Sequence, residues 1–150
     1  MKLAEALKER ADIQTRIAQL RNRLSLNARV QEGEVPSEEP EGLIRELDAL
    51  VSRLEELITR INITNAGTLD EGVSLTALIA KCDCLQKKTD ILRGFLSEAS
   101  SLASRATRSE IRIKSTVNVA EKRKELDGLA QELRQTDSRK QQLNWLTELR

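Results

Sequence analysis

Histidine and tyrosine are missing from this 150-residue chain, and phenylalanine and tryptophan occur once each. Without histidine, the commonest general base, proton shuttle and transition-metal ligand is gone. Two aromatic rings give bases or sugars almost nothing to stack on, so nucleic acid is not an expected partner. A net charge of +1 supplies no overall field toward a polyanion or a membrane surface. The longest mostly apolar stretch is about Leu75–Ala80, far short of the ~20 residues a membrane-spanning helix needs. The opening Met1-Lys2-Leu3-Ala4-Glu5 goes straight into a charged pattern and lacks the apolar segment of a signal peptide. The two cysteines, Cys82 and Cys84, would lie about 200° apart around a helix and so cannot bridge each other. With no histidine or further cysteine there is no zinc set. Together these absences predict a cytoplasmic protein with reduced thiols, no metal, no cofactor and no membrane role.

What is present is charge and helical periodicity. Charged residues make up 33% of the chain and apolar ones 39%, the balance of long helices with thin cores. Apolar side chains recur at alternating three- and four-residue steps, which keeps them on one helix face. Leu3, Ala6, Ile13, Ile17, Leu20 and Leu24 form one such seam, with Arg10 and Asn27 as polar members. Leu47, Leu50, Leu54, Leu57 and Ile61 form a second, widened by a row of Ile44, Val51 and Ile58. A third runs from Leu75 through Leu78, Cys82, Leu85, Leu92 and Leu96 to Ala99, and a fourth through Leu126, Leu129, Leu133, Leu143 and Leu146. The expectation is one all-α domain over residues 1–150, a coiled-coil-like bundle of four long helices at about 2–27, 41–65, 74–103 and 119–148. Ser37-Glu38-Glu39-Pro40-Glu41 reads as the start of the second helix, because acids and proline both suit a first turn. Asn118 with Glu121 resembles a capping box for the fourth. Gly67 and Gly72 bracket a break.

Two stretches alternate in the manner of strands, about 28–35 and 109–117, and they supply the one short β element of the expected fold. A lone strand leaves its backbone groups unpaired, so each needs a partner, here or on another subunit. Charge is unevenly spread. Residues 32–48 hold seven acids, Glu32 and Glu34 among them, against Arg45 alone, a net of −6. Residues 105–124 hold seven bases, Arg112 and Lys114 among them, against Glu110 and Glu121, a net of +5. These are either two solvated surfaces or the two sides of an interface between subunits.

Candidate chemistry is sparse. Glu38 and Glu41 invite comparison with the all-α nucleotide pyrophosphatases, whose paired acidic motifs hold magnesium. The second acidic pair is missing, since only Glu55-Glu56 and an isolated Asp83 follow. Arg60, Asn62, Thr64 and Asn65 extend the polar end of the second helix, and Asp83, Asp137 and Arg139 are their candidate long-range partners. The expected role is a buried polar layer that fixes helix register, and a ligand pocket is the alternative. Cys82 lies on an apolar seam and Trp145 is a packing anchor.

Several short motifs fall in a characteristic order: Lys2-Leu3-Ala4-Glu5-Ala6-Leu7, Val30-Gln31-Glu32-Gly33-Glu34, Arg60-Ile61-Asn62 with Thr64-Asn65, Asp83, Arg108-Ser109-Glu110-Ile111, and Asn144-Trp145. In that order the chain is similar to the septicolysin-like family of small bacterial proteins, over essentially its whole length. The resemblance implies a helical protein that self-assembles as a homo-oligomer, a hexamer. It adds Arg108 and Glu110 to the candidate polar site, and its common label implies a pore-forming cytolysin. The chain departs from the pattern at Cys82, where arginine often precedes the aspartate, and at Ile113, where an aromatic is common. A pore needs a long apolar helix or strands that close into a barrel, and neither is evident here. The leading expectation is therefore a non-catalytic, self-assembling protein with a structural or interaction role. A pore-forming protein and a metal- or small-ligand-binding helical enzyme are the alternatives.

Overall fold

A computed structural model describes residues 1–102 and 112–150. The described chain is four helices and one short sheet: α1 (Leu3–Leu26), α2 (Pro40–Gly67), β1 (Leu69–Asp70), β2 (Val73–Ser74), α3 (Leu75–Ser100) and α4 (Val119–Leu146). It is an all-α fold with one short β element. The chain divides into two compact units, Met1–Ser74 together with Leu143–Arg150, and Leu75–Gln142.

In the first unit, α1 and α2 pack antiparallel. Leu3, Ala6, Ile13 and Leu20 are buried on α1, and Leu43, Leu50, Leu57, Ile61 and Thr64 on α2. Seven-residue steps dominate both rows, because two helical turns return nearly the same face. Full burial of one such leucine contributes about 1.5–3 kcal/mol, so this seam is the main support of the unit. Polar rungs flank it: Arg53 pairs with Glu9 at 2.7 Å, Arg16 with Glu46 at 3.2 Å, and Arg23 with Glu38.

Asn27, polar on the sequence seam, proves to join the helices. Its side-chain amide donates to the Arg23 carbonyl at 2.8 Å, and its Oδ1 accepts the Glu38 N–H at 3.0 Å. Pro40 then opens α2 in the first-turn place where its missing N–H costs nothing. Past α2 the chain makes a two-residue hairpin, Leu69 pairing with Ser74 and Asp70 with Val73. Both central residues have positive φ, Glu71 at 50° and Gly72 at 84°, as a primed hairpin turn requires.

The final residues return to this unit. Leu3 donates its N–H to the Thr147 carbonyl, and Leu149 donates to the Met1 carbonyl, both at 2.9 Å. The backbone N–H of Arg150 donates to Thr64 Oγ1 at 2.9 Å.

In the second unit, α3 and α4 run antiparallel, with Lys81 paired to Glu132 at 2.8 Å and the far end of α3 facing Arg123 and Leu126 across a groove. The buried row on α3 is Leu75, Cys82, Thr89 and Leu96, again seven apart. Asn118 Oδ1 accepts the Glu121 N–H at 3.2 Å and starts α4 as its sequence predicts.

The strand expected at 28–35 is absent. Those residues form a turn, with Glu34 donating to the Gln31 carbonyl at 3.0 Å, and Gly33 at φ 87° interrupts any extended run. The sheet instead lies at 69–74, a segment taken from the sequence only as a break. Of the second expected strand, residues 109–111 lie outside the described residues, and 112–117 are irregular. There Ser115 Oγ donates to the Val117 carbonyl at 3.0 Å, a local turn that competes with extended pairing. The third helix ends at Ser100, short of the expected 103, where Ser100 Oγ donates to the Leu96 carbonyl.

Candidate functional site

The polar residues singled out from sequence do not form one buried layer. In the first unit, Arg60 donates from Nε to the Arg150 backbone carbonyl at 2.9 Å and from Nη1 to Glu56 at 3.3 Å. Asn62 is exposed. Asn65 Oδ1 is buried and has no partner among the described residues. The residue that fills the buried polar place on α2 is Thr64, fully enclosed, donating to the Arg60 carbonyl while it accepts from Arg150. Its signal was the seven-residue step from Leu57.

In the second unit, Asp83 and Asp137 do come together. They line a cleft of about 350 Å³ with Cys82, Gln86, Leu133, Arg134 and Lys140. Asp83 is exposed and so belongs to a rim, not to a buried layer. Arg139 points elsewhere and donates to Gln142 at 2.7 Å. Arg108 and Glu110 lie outside the described residues.

The cleft's chemistry is quiet. Lys140 pairs with Asp137 at 2.6 Å. Burial works against the ammonium, but the hydrogen bond and charge of Asp137 outweigh it and raise the Lys140 pKa. Burial pushes the Cys82 thiol up; the Lys140 charge opposes this, and Asp137 and Asp83 add to it. A thiol held protonated in this way is a poor nucleophile. Among the described residues, no group of three or more His, Cys, Asp or Glu side chains could hold a metal ion.

The charged segments divide. Glu32 and Glu34 are exposed in the turn after α1, and Arg112 and Lys114 are exposed before α4. Glu38 and Glu46, by contrast, are held within the first unit by Arg23 and Arg16. The Arg23 hydrogen bond holds the Glu38 carboxyl below its usual range; burial opposes this and the Arg23 charge adds to it.

Two rows of exposed apolar side chains stand out from this polar surface. On α2, Ile44, Val51 and Ile58 remain 40%, 47% and 39% exposed. They sit one residue past Leu43, Leu50 and Leu57, so they lie about 100° around the helix from the seam that meets α1. On α3, Ile91 and Phe95 are 72% and 43% exposed, one turn apart. The sequence showed the α2 row as the broad stripe of the second helix. It missed the α3 row, because only the two residues mark it.

Residues 10–149 match a family of unknown function, DUF6847. The chain belongs to that family. A solved structure, a functionally unknown conserved protein from Corynebacterium diphtheriae, is similar to this DUF6847 chain at 40% sequence identity with a TM-score of 0.94. The likeness covers 100% of this chain and 99% of that one. No curated protein matches. Neither likeness assigns an activity, and neither links the chain to the septicolysin-like family. Among the described residues, no helix is long and apolar enough to cross a membrane.

Proposed function

We propose that this DUF6847 protein is a self-assembling helical protein with a structural or interaction role and no catalytic one. The observation that carries the reading is the uncovered row of Ile44, Val51 and Ile58. These three β-branched residues span fourteen positions of α2, about 21 Å of helix. Burying such a row stabilises a contact by about 25 cal/mol for each Å² removed from water. The stripe is broader than packing against α1 requires, which favours a second helical neighbour on that face. The resemblance to septicolysin-like proteins adds an expected copy number, a hexamer.

Sedimentation of the protein with and without Val51→Asp tests this. Val51 is exposed, so the substitution leaves the seam against α1 intact while placing a charge in the proposed contact. The wild type should sediment as an assembly and Val51→Asp as a single chain of 16.9 kDa. Equal masses for the two would remove the α2 row from the contact.

A further inference from the structure

We infer that the α2 row is covered by the Ile91–Phe95 row of α3 on a second copy of this chain. This rests on the self-assembly reading above and adds which surfaces meet. The argument is charge complementarity between two unpartnered apolar rows.

On α2, Asp48 and Glu55 fall about 50° around the helix from the line through Ile44, Val51 and Ile58, so the apolar side chains are flanked by acids. On α3, Lys87 lies one turn before Ile91, about 40° from it, and Lys88 about 60° from it. All four charged residues are exposed. None of them makes an ion pair with another described residue. Glu98 is also on this face, but one turn beyond Phe95, at the far end of the row.

Two copies of the α2 row set against each other would bring Asp48 and Glu55 of one chain close to the same acids of the other. Like charges at a contact are penalised and opposite charges select the partner. The α3 row offers what the α2 row lacks, exposed apolar side chains with lysines beside them. One contact between different patches uses the α2 row of one copy and the α3 row of the other, so the pair keeps one free row of each kind and can continue from copy to copy into a ring or a filament.

The test is a charge exchange read by light scattering. One variant carries Asp48→Lys and Glu55→Lys, so both of its rows are basic. The other carries Lys87→Glu and Lys88→Glu, so both of its rows are acidic. Each alone should lose assembly and scatter as 16.9 kDa. Mixed in equal amounts they should assemble again, because every basic row then meets an acidic one. Phe95→Asp supplies a second route to the same loss if either charge variant fails to keep its far-UV helical signal. If Val51→Asp dissociates the protein while Lys87→Glu/Lys88→Glu and Phe95→Asp leave it assembled, the self-assembly reading stands and the α3 row is not the occupant. A wild-type protein of one-chain mass overturns both.

Discussion

Three buried threonines on helices should respond to valine in three different ways, because their hydroxyls have different partners. Thr89 is 1% exposed and its Oγ1 has no hydrogen-bond partner among the described residues. A buried hydroxyl left unpaired costs about 1–3 kcal/mol in lost hydration. Thr89→Val keeps the branched shape and removes that cost, so it should stabilise by about 1–2 kcal/mol and raise Tm by about 2–8 °C for a chain of this size. Thr64 differs. Its Oγ1 accepts the Arg150 N–H at 2.9 Å, and Thr64→Val strands that donor, a loss of about 1–3 kcal/mol. Thr136 donates to the Glu132 carbonyl at 2.8 Å. That carbonyl also faces the helical N–H four residues on, so Thr136→Val should stay within about 0.5 kcal/mol of the wild type. Thermal and urea unfolding followed by circular dichroism measure all three. A loss at Thr89→Val as large as that at Thr64→Val would refute the reasoning, since it would mean the Thr89 hydroxyl is paired.

Glu9, Glu56 and Glu148 are held below the ordinary carboxyl value of 4.5, the first two chiefly by hydrogen bonds from Arg53 and the third by one from Lys2. Glu38 behaves in the same way beside Arg23. Depressed carboxylates stabilise the fold above their unfolded pKa and cease to do so as pH falls through the folded values. Tm should therefore hold steady from neutral pH to about 5 and drop on further acidification, and Glu9→Gln should make that drop shallower. An unchanged acid slope in Glu9→Gln would contradict the role given to Arg53. Glu71 occupies a left-handed conformation that costs most residues about 1 kcal/mol, so Glu71→Gly or Glu71→Asn should stabilise modestly and Gly72→Ala should destabilise. Asn27→Ala removes both the link to Glu38 and the bond to Arg23, and should cost about 1–2 kcal/mol where Leu26→Ala, at an exposed position, costs almost nothing.

The helices were legible because a seven-residue step survives in the sequence whatever packs on it. Leu50, Leu57 and the parallel row of Ile44, Val51 and Ile58 announce α2, and Pro40 and Asn118 announce two starts. The same step also carried Thr64 and Thr89; Thr64 was read as one polar residue beside Asn62, which the helix turns outward, and reading the third seam by hydrophobicity passed over Thr89. The false strand at 28–35 shows the limit of alternation over a short run. Ala28 and Val30 alternate with Arg29 and Gln31 but find no sheet, and Gly33 turns the chain instead. The real hairpin has two residues per strand, too few for any period to register, and its only sign was glycine after two acids. The bonds from Arg150 to Thr64 and from Arg60 to the Arg150 carbonyl join residues 86 and 90 apart in sequence, and no local pattern foretells them.

Equilibrium sedimentation of the wild-type protein across a range of micromolar concentrations tests the central claim most directly. Uncovered apolar rows on α2 and α3 predict a mass that is a multiple of 16.9 kDa and that falls toward one chain on dilution. A single species of 16.9 kDa at every concentration would contradict the account.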